Sequence, residues 1–496
     1  MNDLLPFGPG AWAFMVMYLA SMLLIGWIGF RARRENTLAD FYVAGKGFGI
    51  YIMVMTLFAT QYSGNTFYGF SGNTYRIGYA WIMSLHFMTA IVVCYLLFAP
   101  RLQQLARERN YITPPDYIQD RFSSRAITII TAIVMILALS NYLLAQIMAM
   151  GRAMEGLAAS RPDEAYRYGV IVLAAIMVIY GTLGGLRAVA WTDAIQGTVM
   201  LIGFMLVFVM LFDQYGSLTE ATGRVLAADV ANNTRKALPP DGNRIREWFS
   251  YVFIVGFGAA LYPQAIQRIY AARSPRVLRR SFAVMAFMPL PTQIMAMVIG
   301  IMALAYIPGL SGAGADQVFS LVLADIQRGS AFGYGLVVLL MAAIVAAMMS
   351  TADSALLSIS SMVTKDIYGR LLRPEASEAE LTRVGKICSW ALIIILVSLA
   401  IALKEKTSLV RLLDRKFDLL IQMVPAFILG LRWARLRSLP VLLGLIVGIL
   451  VAMTLAFGDL PFVVRGKVYG IHPGLYGLAL NITIAVLGSL CYCRKT

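Results

Sequence analysis

The sequence predicts an all-α integral membrane protein with about thirteen transmembrane helices. Of the 496 residues, 59% are hydrophobic and only 14% are charged, whereas soluble domains carry roughly 25% charged residues. Apolar stretches of about 20 residues, enough helix to cross the hydrocarbon core, recur from one end of the chain to the other. This recurrence excludes a soluble enzyme held by a single anchor.

The charged residues fit loops between membrane spans. The net charge of +16 is spread between the apolar stretches, which indicates loop topology and lipid headgroups rather than nucleic acid. The four cysteines show no spacing typical of metal ligands or disulfides. The N-terminal segment MNDLLPFGPG has no basic residue before the first apolar stretch, so we do not expect a cleaved signal peptide.

Hydropathy places the candidate spans at about 11–30, 48–72, 79–99, 126–150, 166–185, 192–213, 247–266, 279–306, 331–361, 384–403, 416–432, 438–456 and 471–491. No Pro/Ser-rich linker divides them, so we expect one transmembrane domain over residues 1–496. An odd number of spans puts the termini on opposite sides, and the distribution of Lys and Arg favours an outside N-terminus and a cytoplasmic C-terminus. Five basic residues oppose this orientation because they fall in one outside loop: Lys404, Lys406, Arg411, Arg415 and Lys416.

Two spans contain residues that favour an interrupted helix. The second includes LFATQYSGNTFYGFSGN, and the seventh includes WFSYVFIVGFGAALYPQAIQR, with Gly256 and Gly258 followed by Pro263. At membrane depth, freed backbone groups are tolerated only where protein or a water-filled cavity satisfies them. Either interruption alone is typical of close helix packing. If spans 2–6 and 7–11 form two equivalent units, however, the interruptions match in position and indicate a binding site at the midplane.

The ninth span carries a pattern suited to a cation. Ala347, Ser350 and Thr351 lie at positions i, i+3 and i+4, on one face of a helix. A hard monovalent ion such as Na⁺ prefers oxygen ligands, which two hydroxyls and backbone carbonyls supply. The carbonyls near Ala59 and Tyr62, at the end of the first half-helix, are natural partners. The alternative is that the hydroxyls bond their own backbone or a neighbouring helix.

Four segments follow one another along most of the chain: FYVAGKGFG (41–49), FATQYSGNTF (58–67), GTLGGLRAVAWTDAIQG (181–197) and AAMMSTADSALLSISSMVTKDIY (346–368). Together they resemble the sodium:solute symporter family, which includes sodium-coupled proline, pantothenate, monocarboxylate and sugar carriers. The resemblance implies a leucine-transporter-type fold with a five-plus-five inverted repeat. It also implies one extra N-terminal helix before the repeat and two extra C-terminal helices after it, so that the parts would cover about 11–30, 48–213, 247–432 and 438–491.

The resemblance also implies roles for particular residues. The Na⁺ ligands fall on the carbonyls and hydroxyls already singled out by spacing, which belong to Ala59, Tyr62, Ala347, Ser350 and Thr351. Asp193, in the W-T-D motif, takes the place of an aspartate that serves Na⁺ release towards the cytoplasm, although it also suits a helix N-cap for the sixth span.

Three polar or small residues qualify this picture. Proline-type members of the family resemble each other in having Asp at the position of Gln61, so Gln61 weakens a proline assignment. Gly181 stands where the family pattern has a small Ser, Thr, Ala or Val before the Gly pair. Asp353 follows Ser350 by one helical turn. An intramembrane carboxylate is costly to leave unpaired, so we expect Asp353 to tune cation affinity or, preferably, to pair with a cytoplasmic Arg.

Polar residues near the two interruptions are candidates for binding the solute. They are Gln61, Gly64, Asn65, Thr66, Asn141, Gln146, Tyr262, Gln264 and Gln422, with Tyr142 beside Asn141. Each of the amides is also suited to hold helices together. The backbone amides of residues 64–66 would begin the outer half-helix and favour a carboxylate, while no Arg or Lys is expected inside the core spans.

These observations predict a secondary active transporter rather than an enzyme: Na⁺-coupled uptake of a small, carboxylate-bearing solute such as a monocarboxylate, pantothenate or an amino acid. The alternatives are H⁺ coupling in the same fold, through Asp193 or Asp353, and a sugar or other neutral solute. An enzyme is disfavoured because the two histidines, His86 and His472, are far apart and no metal or nucleophile cluster accompanies them. The expected partners are the solute, Na⁺ and the lipid of a bacterial inner membrane, with no nucleic acid.

Overall fold

The computed structural model describes residues 9–32, 37–155, 161–329, 331–404, 409–458, 460–464 and 466–492. Within these ranges the protein is helical apart from one antiparallel hairpin. The helices are α1 (Pro9–Arg31), α2 (Leu38–Val43), α3 (Ile50–Gln61), α4 (Phe70–Ile77), α5 (Met83–Glu108), α6 (Pro114–Phe122), α7 (Arg125–Glu155), α8 (Pro162–Tyr215), α9 (Leu218–Asn232), α10 (Gly242–Ala260), α11 (Pro263–Ala271), α12 (Pro275–Met285), α13 (Pro289–Tyr306), α14 (Val318–Gly329), α15 (Ala331–Met362), α16 (Glu378–Ala402), α17 (Leu409–Leu420), α18 (Gly430–Arg432), α19 (Ser438–Phe457) and α20 (Pro473–Tyr492). The strands are β1 (Val463–Val464) and β2 (Lys467–Val468).

Nine helical segments of the described chain are long and apolar enough to cross a membrane, and the bent pair α10 and α11 makes a tenth. Length and hydropathy therefore do not confirm thirteen spans. The expected span 48–72 is divided between α3 and the segment Thr66–Glu108, and the expected spans 166–185 and 192–213 both lie in α8. The expected span 416–432 consists of short helices and turns. The count falls because interrupted or sharply bent helices are too short, or merge with their neighbours.

Helix α8 contains a sharp bend. Its 54 residues would extend about 81 Å as a straight helix, far beyond a bilayer core of about 30 Å. At Gly185 the backbone has φ 61° and ψ −158°, a conformation that side chains rarely adopt. A Cβ atom there would lie 2.5 Å from the carbonyl oxygen of Phe41. Both the conformation and the close approach therefore require glycine at this bend.

The first predicted interruption is confirmed. Helix α3 ends at Gln61, Tyr62 is extended (φ −102°, ψ 115°), and the chain resumes as a π-helical turn over Asn65–Gly69 that leads into α4. The Thr66 amide donates to the Ser63 carbonyl at 2.8 Å, and the Ser63 amide donates to the Thr66 hydroxyl at 3.3 Å. These local bonds satisfy backbone groups that the break removes from the helix.

The second predicted interruption is also confirmed. Helices α10 and α11 meet at an angle of 51°, and Pro263 opens α11, a position where its missing N–H costs nothing. Gly256 and Gly258 do not form the break, because both lie inside α10. They allow close packing instead: a Cβ on Gly258 would lie 2.8 Å from the Phe417 ring.

Helix α15 is the most enclosed of the described candidate spans. In its most apolar stretch 94% of the residues are buried inside the protein, compared with 22% in α1. It packs against α3, α7, α8 and α11, and so against both interrupted segments. Polar groups on α15 are therefore shielded from lipid and face other protein groups.

The hairpin β1–β2 lies between α19 and α20 and contacts other helices. Lys467 on β2 forms an ion pair with Glu247 of α10, and its ammonium group donates to the Tyr251 hydroxyl at 3.2 Å. At the start of α20, the Gly474 amide donates to the Asp418 carboxylate of α17 at 2.7 Å. These contacts join the C-terminal helices to α10 and α17.

Candidate cation and solute site

The last turn of α3 meets the middle of α15 beside the first interruption. Carbonyl groups at the end of a helix have no amide partner within it, and the Ala59 carbonyl accepts the Thr351 hydroxyl at 3.0 Å. Ala347 and Ser350 lie on the same face of α15 and are fully buried, and Tyr62 ends α3 with a buried side chain. The structure thus brings Ala59 and Thr351 into contact and places the other three expected ligands on the same two elements.

Asp193 of α8 joins this cluster. Its buried carboxylate accepts the hydroxyls of Ser350 and Thr56, and Arg268 forms an ion pair with it at 2.8 Å. Asp193 lies within the helix, well past the bend at Gly185, so the N-cap interpretation is wrong. A carboxylate beside Ser350 places negative charge next to the expected cation ligands, and Arg268 balances that charge.

Arg268 is a functional candidate that sequence reasoning missed. It is 1% exposed, and its guanidinium group also donates to Thr56 (2.7 Å), Ser354 (2.5 Å) and the Gln264 carbonyl (3.2 Å). The expectation of no Arg inside the core is therefore wrong. The seventh span was expected to end at 266, whereas α11 continues past Arg268. The sequence signal that could have identified Arg268 is its position one helical turn after Gln264, a predicted solute residue.

Asp353 has neutral partners in the structure. The Tyr180 hydroxyl donates to one carboxylate oxygen at 2.5 Å, and the Ser354 hydroxyl donates to the other at 3.3 Å. The expected pairing with a cytoplasmic Arg is not observed among the described residues. Asp353 also lines a small cavity between α8 and α16 together with Gly181 and Lys386.

Gln61 connects the two interruptions. Its amide group donates to the Tyr95 hydroxyl of α5, and that hydroxyl donates weakly to the Ala259 carbonyl at 3.5 Å. Ala259 belongs to the last turn of α10, immediately before the second break. Gln61 is therefore part of a polar bridge between the breaks.

The backbone amides at the first break differ from expectation. The Thr66 amide is occupied by the Ser63 carbonyl, and a Cβ on Gly64 would lie 2.7 Å from Met348 and 2.9 Å from Ala149. Of the three amides expected to bind a carboxylate, that of Thr66 is therefore occupied by a local bond, and Gly64 is closely packed. The side chain of Asn65 lies outside the described part of the structure.

Three of the other solute candidates carry polar atoms without partners among the described residues. Gln146 and Gln264 are fully buried with both amide atoms unpartnered, and the Asn141 amide oxygen is also unpartnered. Unsatisfied buried amides are costly, so they mark places where a ligand or water completes the hydrogen bonding. These residues belong to α7 and α11, which are linked at the second break by the stacked rings of Tyr142 and Tyr262.

Gln422 lies elsewhere. Its amide nitrogen donates to the carbonyls of Asp418 (3.2 Å) and Gly474 (2.8 Å), and Asn481 donates to the Gln422 carbonyl at 2.8 Å. The side chain therefore holds α20 against the end of α17, which is the alternative role of an amide in a membrane protein. Its proposed place in the solute site is corrected accordingly.

A second missed residue, Lys416, lies among aromatic rings that we term the aromatic cage: Tyr142, Tyr262 and Phe417. The Lys416 ammonium group is 3.2 Å from the Tyr142 ring centroid, 5.0 Å from that of Tyr262 and 4.9 Å from that of Phe417. Tyr262, a predicted solute residue, stacks on Tyr142 at 5.2 Å. Lys416 stands where the sequence predicts the end of an outside loop and the start of the eleventh span, and it is fully buried.

Comparison with known proteins gives the family. A model of the sodium:solute symporter family matches residues 41–448. The chain is 27% identical over 489 residues to the sodium/proline symporter of Escherichia coli, covering 95% of this chain and 92% of that protein. It is 26% identical over 444 residues to the osmoregulated proline transporter OpuE of Bacillus subtilis, covering 87% and 86%.

Solved structures give the fold. A Na⁺-coupled sialic acid symporter in a substrate-bound outward-open state matches with a TM-score of 0.77, 20% identity and 98% coverage of both chains. A nucleobase-cation-symport-1 family transporter in a closed conformation matches with a TM-score of 0.53, 13% identity and coverage of 94% and 95%. The chain therefore has a leucine-transporter-type fold and belongs to the sodium:solute symporter family, as a multi-pass membrane transporter that couples solute to Na⁺ and not an enzyme.

Proposed function

We propose that the protein takes up a small carboxylate-bearing solute together with Na⁺ by alternating access. The observation that carries the proposal is the contact of the Thr351 hydroxyl with the Ala59 carbonyl, across the first interruption. An ion held at this point would bridge α3 and α15, so its binding free energy would depend on how the two elements are arranged.

The proposed Na⁺ ligands are the carbonyls of Ala59, Tyr62 and Ala347 and the hydroxyls of Ser350 and Thr351. Na⁺ is cargo here and leaves with each cycle. In the described structure Ser350 and Thr351 donate to Asp193 and Ala59. Both hydroxyl oxygens have lone pairs that could coordinate Na⁺ once the hydroxyls turn away from these acceptors.

Asp193 is the proposed residue of the Na⁺ release pathway. Its carboxylate already contacts Ser350, so an ion that leaves the ligands would next meet the negative charge of Asp193. The positive charge of Arg268 would weaken that attraction enough for the ion to be released. Proton coupling remains the alternative. Asp353 would serve it best, because its partners Tyr180 and Ser354 are neutral.

The proposed topology has thirteen membrane helices with an outside N-terminus. One extra helix precedes a five-plus-five inverted repeat over about 48–213 and 247–432, and two extra helices follow over about 438–491. Support comes from the two breaks, in α3–α4 and α10–α11, which would be the first helices of the two units. The bend at Gly185 would separate the fourth and fifth helices of the first unit.

Energetics limit what such a carrier can accumulate. One Na⁺ entering down a tenfold gradient and about 100 mV supplies roughly 3.7 kcal/mol, enough for about 500-fold accumulation of a neutral or zwitterionic solute. A monovalent anion carried with one Na⁺ is electrically silent and keeps only the chemical part. A strongly concentrating anion carrier would therefore need more than one Na⁺.

The relatives named as proline transporters make proline one candidate solute. Gln61 weakens it, since proline-type members share Asp at this position. A monocarboxylate, pantothenate or another amino acid therefore remains a candidate solute, and a sugar or other neutral solute is the alternative.

The test uses purified protein in detergent and in liposomes. Na⁺ alone should raise the melting temperature, and one carboxylate of a panel that also includes amino acids, sugars and vitamins should raise it further. Ser350→Ala/Thr351→Ala should abolish Na⁺-stimulated uptake. Ser358→Ala, which removes a buried hydroxyl on the same helix away from the ligands, is the matched control.

Full Na⁺-stimulated uptake by the double variant would reject the proposed ion site. Uptake in sodium-free buffer with an imposed pH gradient would instead establish proton coupling.

A further inference from the structure

Lys416 is a buried lysine with no carboxylate in contact with its ammonium group in the described part of the chain. Among the residues that the structure describes, its ammonium group has no hydrogen-bond or ion-pair partner. Ring faces attract a cation, but they do not replace the hydrogen bonds of water. An ammonium group in this position is therefore stabilised by any acceptor that can enter the aromatic cage.

Neither of the two acids nearest in sequence serves as that acceptor, and Asp418 forms an ion pair with Arg415 instead. Asp414 accepts the Tyr251 hydroxyl at 3.2 Å and lies 3.7 Å from the His472 ring nitrogen. These partners belong to the cluster around the β1–β2 hairpin. The Lys416 side chain instead lies over Tyr142.

The aromatic cage lies between the two interruptions. Tyr262 is the residue immediately before α11, at the second break. The Tyr142 hydroxyl lies near the side chains of Ser63, in the first break, and Thr351, one of the proposed Na⁺ ligands. The same ring carries Lys416 on its face. Lys416 thus lies one aromatic side chain away from the proposed ion site.

Polar atoms for the rest of a ligand are close in the chain. Gln146 follows Tyr142 by one turn of α7, on the same face, with both amide atoms unpartnered within the described structure. Gln264 follows Tyr262 by two residues, also with an unpartnered buried amide. An ammonium group on the Tyr142 ring, with unpartnered amides following both tyrosines in the chain, suits an organic anion with one carboxylate and further polar groups.

We propose that Lys416 binds the carboxylate of the transported solute, and that the aromatic cage packs against the solute's apolar part. This inference rests on the proposed function and adds the residue that selects the solute class. Tyr142 would then couple the two cargoes, because a solute that shifts its ring away from Lys416 also shifts its hydroxyl relative to Thr351. By linkage, Na⁺ and solute must raise each other's affinity by the same factor.

The test measures ligand-dependent melting temperatures at saturating Na⁺ for pairs that differ only in the carboxylate: proline and prolinamide, lactate and lactamide, pantothenate and pantothenol. The wild-type protein should bind its carboxylate roughly 30-fold or more tightly than the partner compound, as expected for a buried charge pair. Lys416→Met, which keeps the apolar length of the side chain, should lose this preference. Lys416→Arg should retain part of it.

The control is Lys404→Met, which removes a lysine bound to Glu155 and Asp163 and should keep the preference. Each failure has a distinct signature. If Na⁺ alone does not stabilise the wild-type protein, the proposed function is wrong. If Na⁺ stabilises it but Lys416→Met still prefers the carboxylate, or the wild-type protein prefers the uncharged partner or a sugar, the role of Lys416 is wrong. The wild-type comparison decides even if Lys416→Met does not fold.

Discussion

Arg268→Met should destabilise the protein sharply, because it leaves Asp193 as a buried carboxylate without a counter-charge. The pair is 2.8 Å apart, with 1% of the Arg268 side chain and 0% of the Asp193 side chain exposed. Removing one partner of a buried ion pair costs about 3–5 kcal/mol. The substitution also removes donors to Thr56 and Ser354.

A double-variant cycle separates the pair from its surroundings. Asp193→Asn alone should cost about as much as Arg268→Met, because it leaves the guanidinium group unpaired. The combined variant has no buried net charge. It should therefore melt at a higher temperature than either single variant, with a coupling free energy of about 1–3 kcal/mol.

The assay is the melting temperature of purified protein in detergent, measured with NaCl and with choline chloride. In Arg268→Met the unpaired carboxylate lies beside Ser350, so Na⁺ should recover more stability than it adds to the wild-type protein. Arg279→Met, at an exposed position of α12, is the control and should match the wild-type protein in both salts.

Two results would refute this reasoning. One is an Arg268→Met protein that melts like the wild-type protein, which would mean that the pair does not balance a buried charge. The other is a combined variant less stable than both single variants, which would mean that each side chain stabilises the fold independently.

Three further predictions concern positions away from the ion pair. Gly185→Ala should lower the melting temperature and abolish uptake, because φ is 61° and the added carbon meets a carbonyl oxygen, whereas Gly223→Ala in open space on α9 should be neutral or slightly stabilising. Burial raises the pKa of the Asp116 carboxyl in α6, but ion pairs with two basic neighbours lower the pKa more, to below its ordinary value. Its stabilising effect is present above the unfolded pKa and lost as pH falls through the lower folded pKa, so Asp116→Asn should lower the melting temperature at about pH 8, and this loss should disappear in acid. Gln422→Leu should reduce stability without changing the solute affinity measured by titration, and a selective loss of affinity would return Gln422 to the solute site.

The sequence predicted the features that depend on helix-breaking chemistry. Both interruptions occur where a cluster of small polar residues, or Pro263, falls inside an apolar span. The spacing of Ala347, Ser350 and Thr351 predicts that they share one face of a helix, and Thr351 on that face contacts the end of α3. Local conformational preference and helical periodicity are sufficient for these inferences.

The sequence could not place the two buried cations, because hydropathy ends a span at a charged residue. Arg268 lies just past the expected end of the seventh span, and Lys416 begins the expected eleventh span. The prediction that Gln422 binds the solute is wrong for a different reason: periodicity assigns a residue to a helix face, but it does not identify the helix that this face contacts. Similarly, the occupied amide of Thr66 depends on how the chain closes locally around the break.

The β1–β2 hairpin connects the C-terminal helices to α10, so movement of α10 could be detected at the hairpin. The family model stops at residue 448, within α19, so the hairpin and α20 lie beyond the part shared with that model. Through Lys467 and Glu247 they are nevertheless fastened to α10, the first half of the second broken segment. Any rocking of α10 must either carry these last helices along or separate that ion pair. A fluorophore attached to the exposed Tyr469 position would therefore follow the transport cycle from outside the cargo site.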